Sequence, residues 1–368
     1  MRIVIIADPI DEQYAGVYYY TKHLIEALIK IDKENEYIFM HTRINDFFNN
    51  QKEVIIPNYR WLPGWMSLRK FVFISFALLK IKPDVVLEPA HIGPFSFFYK
   101  CKKVVTIHDL TPVLFPQYHI KISSIIHRLF LPLILRNADG VLVPSECTKK
   151  DIERLYQPKV PIQVTYEAVT EDFQPSSKKQ IREVKDKFGI EKPYILSVGT
   201  LEPRKNLITL LKAYKILSEK GYDYQLVIVG RKGWYFKELL EEIENFGKDI
   251  IITGYVSRSE LSAFYSGAEV MVFPSLYEGF GLPPLEAMQC GCPVICSNTS
   301  SLPEICGKAA ILIDPNVPED LQIALQKVLT DDNIRSSMRH EGIKQAGKFS
   351  WEKCARETLE FFRLLHNR

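Results

Sequence analysis

Between Pro274 and Pro293 the chain reads Pro-Ser-Leu-Tyr-Glu-Gly-Phe-Gly-Leu-Pro-Pro-Leu-Glu-Ala-Met-Gln-Cys-Gly-Cys-Pro. An apolar run, Val270 to Phe273, enters this segment as a buried strand would. Pro283 and Pro284 leave it as the first turn of a helix would, because the amide proton that proline lacks has no partner there. The segment therefore predicts a strand, a tight turn and a helix, which is the repeating unit of an α/β protein.

The turn within this segment combines glycines with two carboxylates. Gly279 and Gly281 let the backbone turn tightly and present amide protons at the positive end of the helix, which suits an anion such as a diphosphate. Glu278 in the loop and Glu286, which we expect in the first helical turn, can accept hydrogen bonds from hydroxyls. A nucleotide sugar carries both kinds of group. In the structural alternative, Glu286 is a third-position helix cap and the glycines form an ordinary loop.

A second turn in the same half of the chain carries adjacent cations. The sequence Gly199-Thr-Leu-Glu-Pro-Arg204-Lys205-Asn206 lies between a predicted strand, Tyr194 to Val198, and a predicted helix. Arginine can hold a phosphate with two hydrogen bonds and lysine can act as a point charge, at the helix end that already favours anions. Together with the glutamate segment, this turn predicts diphosphate binding.

Length and composition set broad limits. The chain has 368 residues, a net charge of +3 and seven cysteines at scattered positions. This length favours two domains of moderate size, and the odd count of scattered cysteines does not favour a disulfide framework. Cys290, Cys292 and Cys296 cluster, but their spacing is not that of a zinc site. The start, Met1 to Ala7, is too short to be the apolar core of a signal peptide, so we expect a cytoplasmic protein.

The stretch between Arg60 and Arg136 is basic and aromatic. It carries eleven Lys and Arg against three acids, together with Trp61, Trp65 and the apolar run Phe71 to Leu79. The run is too short to span a bilayer. Two interpretations remain: a surface that lies on an anionic membrane, or a solvated basic face over a buried core helix.

The first half of the chain alternates predicted strands and helices. Ile3 to Ala7 is a strand, and Gly16 stands at the start of a helix from Val17 to Ile31, where a ligand can approach the backbone. Further strands are predicted at Tyr37 to His41, Val54 to Ile56, Asp84 to Glu88, Lys103 to Ile107 and Gly140 to Pro144, with helices at Leu68 to Leu79 and Ser123 to Arg136.

A polar pair, His108-Asp109, follows one of these strands. Open α/β sheets place ligand-contacting residues at the carboxyl ends of their strands, so we expect a functional role for His108. Asp109 can orient His108, contact an acceptor or cap a turn.

The second half begins after a polar segment that is typical of a linker. The loops Gly230 to Gly233 and Thr253 to Val256 follow strands of this half, and we expect them around the base and ribose. Arg231 has two equal interpretations, a place near the base or a surface role. The predicted strands are Tyr194 to Val198, Gln225 to Val229, Ile250 to Thr253, Val270 to Phe273 and Val294 to Ser297; the predicted helices are Asn206 to Glu219, Trp234 to Asn245 and Ser257 to Ser266.

The glutamate segment resembles a known signature. Glu278-Gly-Phe-Gly-Leu-Pro followed by Glu286-Ala-Met is similar to the Glu-x7-Glu motif of the retaining glycosyltransferases of family 4, and the Phe-Ser-Trp351 start of the last helix also resembles that family. The resemblance implies an α/β protein of the GT-B type: two doubly wound, Rossmann-like domains facing each other across a cleft. The expected boundaries are 1–172 for the acceptor-binding domain, completed by the helix at 351–368, 173–192 for a linker, and 193–350 for the nucleotide-sugar-binding domain.

The resemblance also implies roles for individual residues. His108, Glu278, Arg204 and Lys205 are the expected catalytic residues, and Asp109 is the expected acceptor contact. Ala15 replaces the first glycine of the family's usual pair, so only Gly16 carries over. The expected donor contacts are Gly16, Gly199, Arg204, Lys205, Arg231, Tyr255, Val256, Glu278, Gly279, Phe280, Gly281, Leu282 and Glu286.

The expected reaction moves a sugar, with retention and without a metal or other cofactor, from a nucleotide-diphosphate sugar to a saccharide or lipid-linked saccharide. The turn from His108 to Pro112 resembles mannosyl- and rhamnosyltransferases of bacterial surface polysaccharide assembly, which favours a donor such as GDP-mannose. An anionic membrane is a further expected partner, and nucleic acid is not. Two alternatives stay open: a nucleotide-sugar epimerase or hydrolase of the same fold, and a non-catalytic sugar-nucleotide-binding protein.

Overall fold

The chain forms two compact units. The computed structural model describes residues 1–13, 15–59, 61, 65–91, 100–119, 121–233, 241–243 and 246–368. Unit 1 consists of Met1–Glu167 together with Trp351–Arg368, and unit 2 consists of Ala168–Ser350. The chain therefore leaves unit 1 once and returns to it with its last residues.

Unit 1 is built on a parallel sheet. Over the described residues the sheet has seven strands in the order β3-β2-β1-β4-β5-β6-β7. The strands are β1 Arg2–Ile6, β2 Glu36–His41, β3 Lys52–Ile55, β4 Val85–Glu88, β5 Lys102–Thr106, β6 Gly140–Val143 and β7 Ile162–Val164. The central strands are apolar and buried on both faces, as parallel strands between helical layers must be. The chain reverses its direction across the sheet between β1 and β4, which are neighbours.

Helices cover both faces of this sheet. They are α1 Asp8–Glu12, α2 Ala15–Ile31, α3 Trp65–Leu68, α4 Ile74–Ile81, α5 Thr111–Leu114, α6 Lys121–Asn137, α7 Glu146–Tyr156 and the C-terminal helix Trp351–His366, with a π-helical turn Arg69–Phe73 and 3-10 turns Asp46–Phe48 and Pro116–Tyr118. One core joins β1 to α2 and the C-terminal helix. On the other face α4 packs on β1 and β4, and α6 packs on β5 and β6.

Unit 2 repeats the plan. Its described residues form a six-stranded parallel sheet in the order β10-β9-β8-β11-β12-β13. The strands are β8 Tyr194–Val198, β9 Gln225–Val229, β10 Ile250–Gly254, β11 Val270–Phe273, β12 Val294–Ser297 and β13 Ala310–Ile313. The helices are α8 Lys178–Phe188, α9 Leu207–Glu219, α10 Arg258–Gly267, α11 Leu282–Gln289, α12 Leu302–Cys306, α13 Pro318–Thr330 and α14 Asp332–Ala346, with 3-10 turns Pro203–Lys205, Gly247–Asp249 and Gly307–Ala309. The C-terminal helix of unit 1 is α15.

The reversal point of the second sheet lies between β8 and β11, which pair directly. In open α/β sheets ligands bind outside the carboxyl ends of the strands at such a point. The cationic turn follows β8 and the glutamate segment follows β11, so the fold brings the two predicted parts of the site to one place.

The predicted α/β fold class is confirmed, and most predicted strands agree with the structure to within two residues. The expected linker 173–192 is wrong in part, because it contains α8, which a Ser177 and Gln180 capping box begins. The sequence interpretation missed α8 because its apolar residues, such as Val184, are few among many charges. It also missed β7 and β13. The helix expected at Trp234 to Asn245 falls mainly outside the described residues.

Candidate functional site

One carboxylate holds both cations of the cationic turn. Nζ of Lys205 lies 2.6 Å from Oε1 of Glu278, and Nη1 of Arg204 lies 2.7 Å from Oε2 of the same side chain. Arg204 also donates to the carbonyl oxygen of Tyr277 and, through Nη2, to Glu202, both at 2.6 Å. The structure therefore brings together Arg204, Lys205 and Glu278, and fixes the planar guanidinium from two sides.

These charges are largely removed from water. Burial alone would raise the pKa of Glu278, but Arg204 and Lys205 outweigh it and hold that pKa below its ordinary value. For Lys205 burial has the larger effect, so its pKa is lowered even though the Glu278 carboxylate opposes the shift. The ammonium group also lies 4.8 Å from the centre of the Phe273 ring. A compact, partly desolvated group of this kind interacts strongly with an additional anion.

Side chains that the sequence interpretation missed hold the two turns together. Asn206 donates to the carbonyl oxygens of Pro274 and Pro315 at 3.2 and 2.7 Å. Ser300 accepts from the amide of Glu278 at 3.0 Å, and Ser301 donates to its carbonyl oxygen at 3.0 Å. The available signal was the position of the serines, because the Ser-Asn-Thr-Ser-Ser sequence follows β12 at the carboxyl edge of the sheet.

Glu286 has a different environment from the one predicted. The helix α11 begins at Leu282, so Glu286 is its fifth residue rather than a first-turn residue, and the third position belongs to Pro284. The third-position cap is therefore excluded. Glu286 instead accepts a hydrogen bond of 2.9 Å from the hydroxyl of Tyr265 on α10. Burial raises the pKa of Glu286 to about 7, against the opposing effects of Tyr265 and Arg258.

Two glycines explain the tight turns. Gly281 has a φ of 118°, a left-handed conformation that disfavours other residues, at the position just before α11. Gly230, after β9, lies so close to the turn after β8 that an added Cβ would stand 1.9 Å from the carbonyl oxygen of Gly199. The backbones of the two turns are therefore in direct contact.

The loops expected around the base place two of their residues together. The guanidinium of Arg231 lies 4.3 Å from the centre of the Tyr255 ring, which is itself exposed. Val256, by contrast, is buried. Arg231 and Tyr255 thus form a flat, accessible pair beyond the carboxyl ends of β9 and β10, while Val256 belongs to the packing beneath it.

In unit 1 the ring of His108 lies between two acceptors. Its Nε2 lies 2.8 Å from the carbonyl oxygen of Pro89, and its Nδ1 lies 3.3 Å from Oε1 of Glu167. Burial alone would lower the pKa of His108, but the hydrogen bond and charge of Glu167 outweigh it and raise that pKa. Glu167 was missed because it lies three residues after β7, a strand that the sequence interpretation did not identify.

A second histidine, His91, contacts both the backbone and the ring of His108. Its Nε2 accepts the backbone amide proton of His108 at 3.1 Å, and the two rings stack at 5.4 Å. Burial and the neighbouring His108 lower the pKa of His91 to about 3, so His91 remains neutral. On another side, the ring of Tyr20 meets His108 edge-on at 4.6 Å.

The other predicted residues of unit 1 have simpler surroundings. Oδ1 of Asp109 accepts from the amide and the hydroxyl of Thr111 at 2.8 and 2.6 Å, so Asp109 closes the turn that leads into α5. Gly16 lies in the first turn of α2, and a Cβ added there would meet nothing within 4 Å. Space beside the start of α2 is therefore open.

Unit 1 also has a polar cavity at the reversal point of its sheet. The cavity, of about 60 Å³, is lined by Asp8, Pro9, Glu12, Asn58, Arg69, Lys70, Glu88 and Ala90. Arg69 is buried and binds Asp8 through two hydrogen bonds of 2.5 and 2.7 Å. Glu88 is only 1% exposed. Its Oε2 has no hydrogen-bond partner among the described residues and lies 4.0 Å from Nζ of Lys70. Burial raises the pKa of Glu88 to about 7, with Lys70 opposing the shift.

Two features of the described part of the chain concern metal ions and membranes. No group of three or more His, Cys, Asp or Glu residues there is arranged to hold a metal ion. Nor does any helix in that part have the length and apolar character needed to cross a bilayer.

Comparison with solved structures places the fold. Sucrose-phosphate synthase from Thermosynechococcus elongatus matches with a TM-score of 0.79 and 21% identity over 99% of both chains. The HepE protein of Anabaena, in complex with UDP and glucose, matches with a TM-score of 0.76 and 16% identity, again over 99% of both chains. These matches show that the chain has the GT-B fold.

Sequence comparison gives the family. Residues 14–173 match the description "Glycosyltransferase Family 4", and residues 179–345 match "Glycosyl transferases group 1". O-antigen chain mannosyltransferase B of Escherichia coli is 31% identical over 381 residues, covering 99% of this chain and 100% of that protein. The chain belongs to glycosyltransferase family 4.

Proposed function

We propose that the protein transfers mannose from a nucleoside-diphosphate donor, GDP-mannose first among the candidates, to a saccharide or lipid-linked saccharide, with retention and without a metal. The observation that carries this proposal is the contact of Arg204 and Lys205 with Glu278 at the reversal point of the second sheet. Similarity to an O-antigen chain mannosyltransferase supports mannose as the sugar. Structural similarity to HepE in complex with UDP and glucose supports a nucleotide sugar as the donor only through the shared fold.

In the proposed donor complex the diphosphate replaces Glu278 as the partner of Arg204 and Lys205. Arg204 offers a planar fork of donors and Lys205 a point charge, and both stabilise the negative charge that develops on the leaving phosphate. Glu278, partly released from these cations, then accepts hydrogen bonds from hydroxyls of the sugar. Two fixed cations supply the charge stabilisation that a metal ion gives in other transferases, which is the basis for proposing metal independence.

The proposed transfer needs no covalent intermediate between the sugar and the enzyme. The anomeric carbon loses its bond to the diphosphate oxygen and gains a bond to an acceptor oxygen on the same face. The acceptor proton passes to the leaving diphosphate. We propose that His108, held by Glu167 and Pro89, contacts the transferred sugar, and that its raised pKa keeps a positive charge available there.

We further propose that unit 1 binds the acceptor at its polar cavity. The cavity has room for about two water-sized groups, and therefore for hydroxyls at one edge of a sugar ring. Glu88, Asn58 and Glu12 offer oxygens that accept from hydroxyls, and the unsatisfied Oε2 of Glu88 has the most to gain from a partner. The reversal point of an open sheet is also the usual place for a ligand.

The test is a transfer assay with labelled GDP-mannose, with UDP-glucose as the comparison donor and oligomannosides as acceptors. The expected product is an α-mannoside, identified from its anomeric NMR signal, with turnover unchanged by EDTA. Release of free mannose without an acceptor would support the hydrolase alternative, and donor binding without any turnover would support the non-catalytic one.

The proposal also includes peripheral association with an anionic membrane.

A further inference from the structure

The two oxygens of the Glu286 carboxylate have different surroundings. Glu286 lies on α11, which follows β11 at the reversal point of the second sheet. Its Oε2 accepts the hydrogen bond of 2.9 Å from the hydroxyl of Tyr265. Its Oε1 has no hydrogen-bond partner among the residues that the structure describes, and the side chain is only partly buried. The protein therefore holds one oxygen and leaves the other available to a ligand.

Tyr265 is itself held in place by its packing. Its side chain is fully buried, and its ring meets the buried ring of Phe173 edge-on at 6.1 Å. The guanidinium of Arg258 lies 5.0 Å from the centre of the Phe173 ring and donates to the hydroxyl of Thr170 at 2.7 Å. Because the interior is close-packed, the Tyr265 ring has one orientation and its hydroxyl reaches Glu286 from one direction.

The contact with Tyr265 has two physical effects on the carboxylate. It restricts the rotamers of a glutamate side chain, so less conformational entropy is lost when a ligand binds. It also favours the ionised form: burial raises the pKa of Glu286, and the Tyr265 hydrogen bond and the charge of Arg258 oppose that shift. A further titratable group nearby is the thiol of Cys290, on which the charge of Glu286 acts. Tyr265 thus keeps an oriented, charged acceptor beside the proposed donor site.

We propose that Tyr265 is a positioning residue that makes the donor site selective for ribonucleotides. It holds Oε2 of Glu286, so that Oε1 accepts hydrogen bonds from the neighbouring hydroxyls of a ribose. Deoxyribose lacks the 2′-hydroxyl, and a site that hydrogen-bonds a substrate hydroxyl discriminates strongly against the analogue without it. The donor is therefore a ribonucleoside-diphosphate sugar, and donors built on deoxyribose are excluded. The inference rests on the proposed donor site and specifies the class of nucleotide that it takes.

The experiment is calorimetry of the full chain with GDP and with 2′-deoxy-GDP. The wild type should bind GDP about tenfold or more tightly than the deoxynucleotide. Tyr265→Phe keeps the ring and removes the hydroxyl, so its affinity for GDP should fall by about fivefold or more while its affinity for 2′-deoxy-GDP changes little. The matched control is Tyr214→Phe on α9, a buried tyrosine whose hydroxyl donates to the carbonyl oxygen of Tyr224 at 2.7 Å. It should keep both affinities.

A pH series separates positioning from a purely structural role. Without the Tyr265 hydroxyl, the pKa of Glu286 should rise further, because a hydrogen bond that opposes the effect of burial is lost. The pH below which GDP affinity weakens should therefore move upward in Tyr265→Phe and stay in place in Tyr214→Phe. Loss of packing alone would lower the affinity for both nucleotides equally at every pH.

Two further variants distinguish failure of this inference from failure of the proposed donor site. Arg204→Lys should weaken GDP and 2′-deoxy-GDP by the same factor, because it acts on the diphosphate that both carry. Glu286→Gln leaves Tyr265 in place and should also reduce the preference for GDP. Equal binding of the two nucleotides by the wild type would overturn the inference, as would an undiminished preference in Tyr265→Phe, while the Arg204→Lys result would leave the donor site standing. Failure of the wild type to bind either nucleotide would overturn both.

Discussion

Nζ of Lys205 and Oε1 of Glu278 lie 2.6 Å apart in a largely buried contact. The same carboxylate also neutralises Arg204. In the absence of donor, Glu278 therefore pairs with Arg204 and Lys205, the two cations that we propose as ligands of the diphosphate. Binding of the donor exchanges one anion for another, and the carboxylate becomes available to the sugar.

The Glu278→Gln variant tests this exchange. Without the competing charge, we expect GDP to bind more tightly, while sugar transfer falls by about a hundredfold or more because the amide is a weaker acceptor for sugar hydroxyls. Calorimetry with GDP and a radiometric transfer assay measure the two effects. Glu319→Gln, an exposed position on α13, is the control. Weaker GDP binding in Glu278→Gln would contradict the proposed exchange.

The Arg204→Lys variant tests whether donor binding needs the planar guanidinium group or only a positive charge. Lysine keeps the charge but lacks the planar guanidinium that contacts Tyr277, Glu202 and Glu278, so we expect GDP affinity to fall by about tenfold or more. Arg182→Lys on α8, at an exposed position, should bind GDP as the wild type does. Unchanged affinity in Arg204→Lys would show that charge alone is sufficient.

Glu286 should make stability depend on pH. Its folded pKa of about 7 lies above the ordinary value of 4.5, so the folded chain holds the extra proton between these values. The contribution of Glu286 to stability is therefore full below pH 4.5 and decreases as the pH rises toward 7. Glu286→Gln removes this dependence, and its melting temperature relative to the wild type should increase from acid to neutral pH. A constant difference across that range would show that Glu286 titrates normally.

The Glu286 carboxylate should also control donor affinity. We propose that Glu286 accepts from the ribose hydroxyls of the donor. Its ionised form would accept more strongly, so GDP affinity should weaken as the pH falls below about 7. In Glu286→Gln the affinity should be lower and its pH dependence smaller. Calorimetry over the same pH range measures both.

Glu167 should set the titration of His108. Its hydrogen bond and charge raise the pKa of the imidazole, so the ring stays protonated to a higher pH than an ordinary histidine. In Glu167→Gln the pKa of His108 should fall, and the proton should leave at lower pH. Histidine NMR titrations measure this shift, and the pH profile of sugar transfer should move in the same direction. His340, in unit 2, serves as the internal reference.

Glu88→Gln tests the acceptor cavity. We expect the KM for an oligomannoside acceptor to rise by about tenfold, with donor affinity unchanged, because Glu88 lines the cavity of unit 1 and its other partners, Lys70 and the amide of Ala90, line the same cavity. Glu153→Gln, exposed on α7, is the control. A change in kcat without a change in acceptor KM would remove Glu88 from the proposed acceptor site.

Five of the six strands of the second sheet, and the proximity of the cationic turn to the glutamate segment, could be predicted from the sequence because local patterns determine both. Apolar runs such as Val270 to Phe273 stay buried wherever they pack, and parallel topology brings the ends of neighbouring strands together. The cationic turn and Glu278 could therefore be expected to meet. Roles assigned from the motif alone were less secure: the partner of Glu286 is Tyr265, on a different helix.

Other features depend on long-range packing that no local pattern reports. Glu167 contacts His108 across 59 positions of sequence, and Asp8 contacts Arg69 across 61. The membrane interpretation named Trp65, but its ring packs on Tyr59 and Phe73 and its indole nitrogen donates to Pro57.

The return of α15 to unit 1 has a consequence for biosynthesis. The core that joins β1, α2 and α15 needs Phe361, Phe362 and Leu365, which are translated only after all of unit 2. Unit 2, although it comes later in the message, is fully translated while the first core still lacks its closing helix. Nascent unit 1 must therefore wait with an uncovered apolar face, and a premature stop near Ser350 would release a chain whose second half is complete and whose first half is not.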